Sequence, residues 1–191
     1  MLQLAEIFYS IQGEGTYAGT PAIFVRLAGC NLACDFCDTD YSLKFLASVD
    51  EVVARVRDVG GKCPMVVLTG GEPLAQSDAL PLIDALRADG RRVHIESNGT
   101  IGADLPAGVW LCVSPKERVD ARMASRADEV KLIVDGRVPT EWLDMFSDKP
   151  MLLLQPEGNK PKNVALALEY AKRHPERFRL SLQTHKFIGA R

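Results

Sequence analysis

Cys30, Cys34 and Cys37 share one short stretch, GCNLACDFCDT (29–39), in a chain with five cysteines altogether. Thiolates ligate metals, and a loop containing Asn31, Asp35 and Asp38 is a poor place for core-filling thiols. A structural zinc site needs four closed ligands, usually from two Cys-x-x-Cys knuckles. Cys63 lies beside a proline and Cys112 lies inside an apolar run, so neither is an obvious fourth ligand. Both read as ordinary small apolar side chains. An iron–sulfur cluster is the third explanation and suits the residues better: three thiolates hold three irons and leave the fourth open.

Other residues able to coordinate or hydrogen-bond recur at the ends of short apolar runs. The runs are AIFVRLAG (22–29), MVVLTGG (65–71), VHIESNG (93–99), VWLCVSP (109–115), VKLIVDG (130–136) and MLLLQP (151–156), with FRLSLQTH (178–185) as a possible seventh. They end in Cys30, the Gly70-Gly71-Glu72 turn, Ser97-Asn98, Ser114 with Lys116, Gln155, and Thr184-His185. Apolar runs without alternation suit strands buried on both faces, as in a parallel sheet. Parallel α/β folds carry their sites at the carboxyl ends of the strands. Arg26 is the one charged residue in its run, and a buried guanidinium requires an anion. A bound anionic ligand would serve, with an internal salt bridge as the alternative.

Helices are expected between the runs. SVDEVVARVRD starts at Ser48 with Glu51 three residues on, a capping box, and stacks Val49, Val52, Val53 and Val56 on one face. SDALPLIDALRADG runs from Ser77 to Gly90, NVALALEYAKRH is capped by Asn163 and ends before Pro175, and TEWLDMF (140–146) is shorter. The links after Asn98 and after Ser114 lack the pattern for long helices. The expected architecture is α/β: a reduced, partial barrel of about six parallel strands with few helices, the cluster loop following the first barrel strand. A flat doubly wound sheet is the second choice.

A chain of 191 residues suits one domain, and residues 1–191 are read as a single core. Lysine plus arginine number 23 against 25 acidic residues, so no basic field favours nucleic acid or membrane. Residues 1–20 lack the pattern of a signal peptide, and no run is long enough to span a bilayer. The expectation is a cytoplasmic protein.

The spacing Cys-x3-Cys-x2-Cys after AIFVRLAG resembles the signature of the radical S-adenosylmethionine (radical SAM) family, and Thr69-Gly70-Gly71-Glu72-Pro73 resembles that family's GGEP turn. The resemblance implies a 4Fe–4S cluster on Cys30, Cys34 and Cys37. Its open iron chelates SAM, and reduction cleaves SAM to a 5′-deoxyadenosyl radical that takes a substrate hydrogen. It also implies SAM contacts at Phe36, Asp38, Gly70, Gly71, Glu72, Ser97, Asn98, Ser114, Lys116 and Gln155. Two glycines allow close approach of backbone to ligand, and a carboxylate pairs with an ammonium.

A closer resemblance covers almost the whole chain. EIFYSIQGEGTYAGTPAIFVRLAGC, CDFCDT, LTGGEP, SNGT, VSPK and QTHK are similar to the 7-carboxy-7-deazaguanine synthase family. That family converts 6-carboxy-5,6,7,8-tetrahydropterin to 7-carboxy-7-deazaguanine with loss of ammonia, on the route to queuosine. The likeness implies Mg2+ with Thr39 as ligand, a homodimer, and an external electron donor such as a flavodoxin. Substrate contacts are implied at Ile11, Gln12, Gly13, Glu14, Arg26, Thr69 and His185, with an N-terminal substrate-binding segment and a C-terminal closing segment. Arg26 suits the substrate carboxylate, and Glu14 suits the guanidine-like pterin edge. His94, inside a strand, reads as structural. Two further readings stay open: a glycyl-radical activating enzyme acting on a protein, and a zinc- or cluster-stabilised binding module.

Overall fold

The computed structural model describes residues 1–146 and 148–190. The chain packs as two compact units, one formed by Met1–Ile11, Pro21–Ser97 and Ala103–Leu111, the other by Gln12–Thr20, Asn98–Gly102 and the chain from Cys112 onward.

In the first unit, β1 (Leu2–Ile11), β2 (Pro21–Leu27), β3 (Phe45–Ala47), β4 (Met65–Gly70) and β5 (Arg92–Ser97) lie in the order β3-β1-β2-β4-β5. β2, β4 and β5 run parallel, and β1 is antiparallel to β2 and β3. Helix α1 (Val49–Gly60) has both halves of its capping box, Ser48 to Glu51 and back, and buries Val52, Val53 and Val56. Each such valine is worth roughly 1.5–3 kcal/mol when withdrawn from water. Helix α2 (Ala79–Ala88) buries Leu82, Ile83 and Leu86 as its pattern predicts, but begins two residues after Ser77.

β1 and β3 went unrecognised in the sequence. The register of β1 shifts between Leu4 and Glu6, so Leu4 and Ala5 are both buried and the alternation that marks a strand is broken. β3 is only three residues long.

The second unit carries β6 (Trp110–Val113, entering it at Cys112), α3 (Ala121–Arg126), β7 (Glu129–Val134), β8 (Met151–Pro156), α4 (Pro161–Arg173), β9 (Phe178–Leu180) and α5 (Thr184–Ile188). Its strands lie in the order β6-β7-β8-β9, all parallel. The expected parallel α/β organisation with few helices is what the chain adopts. Two local expectations change. Asn163 is not the cap of α4, which starts at Pro161, a residue whose missing N–H costs nothing at that position. Asn163 is buried instead, accepting from Gly136 N at 3.0 Å and donating to Asp135 Oδ1 at 3.3 Å. The seventh run yields a strand only to Leu180, and its end, Thr184-His185, opens helix α5. Segment 140–146 forms a 3₁₀ turn over Thr140–Met145.

Candidate active site

In the first unit the cysteine loop leaves the end of β2. Gly29 N donates to Tyr41 O at 2.9 Å, closing the loop at its base, and Cys37 N donates to Cys34 O at 3.1 Å within it. Cys30 and Cys34 are half-buried and Cys37 is exposed. The three thiols share one neighbourhood: charge on Cys37 pushes the Tyr41 phenol above its ordinary range, with desolvation and the charges of Cys30 and Cys34 adding to it. Cys63 is occupied elsewhere, its thiol directed at Pro21 O and Met65 O, and Cys112 is fully buried in β6. A group that takes three thiolates and keeps one position open therefore fits the loop.

The Gly-Gly-Glu turn is built against this loop. Glu72 N donates to Gly29 O at 3.1 Å. A Cβ on Gly71 would sit 2.3 Å from Gly29 O and 2.4 Å from Cys30 Cβ, and one on Gly70, at φ +153°, 2.3 Å from Leu27 O. Both glycines are thus demanded first by the approach of two backbone segments, a reason the sequence alone does not reveal. The Glu72 carboxylate is fully buried; it accepts from Leu74 N at 3.0 Å and from Ser97 Oγ at 3.1 and 3.0 Å. Phe36 and Asp38 are exposed and Thr39 is half-buried on the same loop.

Strand register sets a polar row in the same unit. Arg26 on β2 lies opposite Glu6 on β1 and Thr69 on β4. Its Nε donates to Glu6 Oε1 at 2.8 Å, both side chains being half-buried. The internal salt bridge weighed for Arg26 is present, and it engages one of five guanidinium N–H donors.

The second unit organises the Gln12–Thr20 loop. Gln12 is buried, and its backbone pairs with Thr20 O at 2.8 Å and Gly19 N at 2.8 Å. Gly13 O accepts from Thr184 N at 2.9 Å and Thr184 Oγ1 at 2.8 Å. The His185 ring covers Gly13, where a Cβ would meet Nδ1 at 2.0 Å. Gly15 N donates to Ser181 Oγ at 3.0 Å and Thr16 N to Glu129 Oε2 at 3.0 Å. Glu14 points inward and pairs with Lys131 Nζ at 2.5 Å, while Gln183 Nε2 donates to its other oxygen at 2.9 Å. Burial would raise the Glu14 pKa, but the Lys131 charge, helped by hydrogen bonds from Lys131, Gln183 and Gln155, outweighs it and lowers the group to about 2.

Beside this pair, Ser114 Oγ donates to Lys131 O at 3.1 Å, and Lys116 Nζ reaches Ser114 Oγ at 2.5 Å. Gln155 Oε1 accepts from Ser181 Oγ at 3.3 Å. Asn98 Oδ1 accepts from Thr100 N and Oγ1 at 2.9 and 2.6 Å. Ser114, Lys116, Gln155 and Glu14 thus belong to one polar network, and Asn98 makes its own local turn. Lys131, Glu129, Ser181 and Gln183 were missed in the sequence. Lys131 had a weaker sign of the same kind: it is the sole basic residue in its apolar run, which also contains Asp135.

Residues 24–173 match the family described as the Radical SAM superfamily, which gives the class and implies a 4Fe–4S cluster and SAM. Over its whole length the chain is 43% identical to the 7-carboxy-7-deazaguanine synthase of Bacteroides thetaiotaomicron, covering 100% of both chains. The enzyme of the same name from Burkholderia multivorans is 38% identical, with 96% of each chain covered. The crystal structure of QueE from Escherichia coli superposes with a TM-score of 0.84 at 32% identity, over 96% of this chain and 94% of that one. The chain belongs to the 7-carboxy-7-deazaguanine synthase family. A zinc-stabilised module and a glycyl-radical activating enzyme drop out as readings with that membership. Among the described residues no helix is long and apolar enough to cross a membrane.

Proposed function

We propose that this protein converts 6-carboxy-5,6,7,8-tetrahydropterin to 7-carboxy-7-deazaguanine, a ring contraction with loss of ammonia that feeds queuosine and related deazapurines. The observation that carries this reading is the full-length likeness to enzymes of that name, without gaps in coverage at either end. When bound, the cluster and SAM supply the radical that removes a substrate hydrogen; the residues of the chain bind and orient.

In the first unit we assign Cys30, Cys34 and Cys37 to the cluster, and Phe36, Asp38, Gly70, Gly71, Glu72 and Ser97 to SAM. Glu72 suits the SAM ammonium because it is a buried carboxyl group already fixed by Ser97. Arg26 and Thr69, side by side on adjacent strands, take the substrate carboxylate, the guanidinium serving it alongside Glu6. Thr39 would be the chain's ligand to Mg2+ and would need further oxygen ligands from outside the chain, since one neutral hydroxyl makes a poor site for a hard cation.

In the second unit Asn98, Ser114, Lys116 and Gln155 are assigned to SAM, and Gln12, Gly13, Glu14 and His185 to the pterin, with Ile11 leading into that segment. Glu14 supports a pterin reading because it is a half-buried, ionised acceptor, and a pterin offers a guanidine-like edge of N–H donors. The reductant is an external donor of the flavodoxin kind, the protein is a homodimer, and it works in the cytoplasm.

The test is anaerobic incubation of cluster-loaded protein with the carboxy-tetrahydropterin, SAM, Mg2+ and reductant, with mass spectrometry of the products. The deazaguanine acid and one ammonia per turnover are expected, with SAM regenerated. SAM cleavage without either product would overturn the substrate.

A further inference from the structure

The Glu14 pocket contains more than the acceptor already assigned. Gln183 is buried, at 8% exposure, and its amide donates through Nε2 to Glu14 Oε1. The carboxylate fixes which way that amide faces, because the reverse orientation would set oxygen against oxygen. Its Oε1 is consequently left as a buried acceptor with no hydrogen-bond partner among the described residues. A buried acceptor without a donor is destabilising unless something brings one. Lys131, 6% exposed, clamps the other Glu14 oxygen at 2.5 Å. The titratable groups packed against this loop are Glu129 of β7, which accepts from Thr16 N, and His185 of α5, over Gly13.

We propose that Lys131 is a positioning residue for substrate recognition: its ammonium and the Gln183 amide lock Glu14 so that Glu14 and the buried Gln183 Oε1 form one acceptor pair for the N–H-rich edge of the ligand. Neither carbon nor cluster chemistry is involved; the pair discriminates ligands by the donors they bring. A ligand carrying the 2-amino group of a pterin supplies two adjacent N–H groups. One without that group leaves a desolvated acceptor empty, which is a strong basis for rejection. The ammonium prevents Glu14 from turning toward other donors and keeps it anionic inside the protein. This inference rests on the pterin reading of the site.

The experiment is anaerobic equilibrium binding of 6-carboxy-tetrahydropterin and its 2-desamino analogue to cluster-loaded protein. Wild type should prefer the amino compound by about ten-fold or more. Lys131→Met should weaken the amino compound by on the order of ten- to a hundred-fold while changing the analogue little, so the preference collapses. Gln183→Leu should shrink the preference as well, and Lys131→Arg should restore most of it. A role in stability alone would weaken both ligands together and leave their ratio intact.

Lys131→Met leaves a half-buried carboxylate without its cation and can fail to fold. The double variant Glu14→Gln/Lys131→Met carries no charge at the pair and should melt near wild type with the preference still lost. An undiminished preference in either folded variant overturns the positioning role while leaving the functional reading standing. Wild type that binds neither pterin overturns both.

Discussion

Arg26 and Thr39 are the residues whose assigned roles differ most from what their surroundings already give them. Arg26 has a carboxylate partner in Glu6, and a half-buried pair of that kind contributes about 1 kcal/mol or less to stability. Replacing it with lysine keeps the charge and removes the two-pronged fork. Arg26→Lys should therefore melt within a few degrees of wild type yet bind the carboxy-tetrahydropterin about ten-fold more weakly, as read by titration. Equal affinity would reduce Arg26 to the salt bridge with Glu6. For Thr39→Ala the expected result is a normal cluster spectrum with diminished stimulation by Mg2+, because no thiolate is lost; unchanged stimulation would reduce Thr39 to a turn residue. Cys34→Ala, by contrast, should lose the cluster and SAM cleavage together, which iron analysis checks directly. Which side chains carry charge out of an apolar run was readable in the sequence for Arg26, and a weaker form of that sign stood at Lys131. Gln183 and Ser181 had no such sign, because neutral polar residues near a chain's polar end look like any loop.

Elements show the same division. The parallel strands announced themselves as unbroken apolar runs, and α1 announced itself through Ser48 and Glu51. β1 did not, because the shift between Leu4 and Glu6 puts two consecutive residues inside. The Gly-Gly turn was legible as a motif but not for its structural reason, which lies in contacts with Leu27, Gly29 and Cys30, far earlier in the chain. That reason makes a prediction at this scale. A methyl on Gly71 collides with Gly29 O and Cys30 Cβ, so the cysteine loop must move. Gly71→Ala should cost on the order of 1–3 kcal/mol and, more tellingly, should lower the iron bound per chain even where SAM is absent. Full iron occupancy in Gly71→Ala would show that the loop tolerates the shift.

For the whole molecule, the inward-facing Glu14–Lys131 pair ties stability to acidity. The Glu14 pKa is about 2 in the folded chain against 4.5 for the free side chain. The unfolded chain thus takes up the proton first as pH falls, and the folded state loses the contribution progressively from about pH 4.5 to about pH 2. Above that window the contribution is complete and flat. Glu14→Gln should accordingly show a shallower decline of unfolding free energy across that range than wild type, measured by denaturant titration at each pH. Parallel declines would mean that the pair is not retained in solution.

The loop that carries Glu14 is fastened by residues that the chain reaches only at its far end: Gly13 by Thr184 and Gly15 by Ser181, separations of 171 and 166 residues. Closing a loop of that length early is entropically unfavourable, and contacts so distant in sequence form late. On the ribosome, Gly13 and Gly15 are made 171 and 166 residues before the partners that fasten them. This loop is thus among the last of these segments to become ordered. In pulse-labelled hydrogen exchange during refolding, the amides of Gly15, Thr16 and Thr184 should gain protection in one late step, after those of β4 and β7.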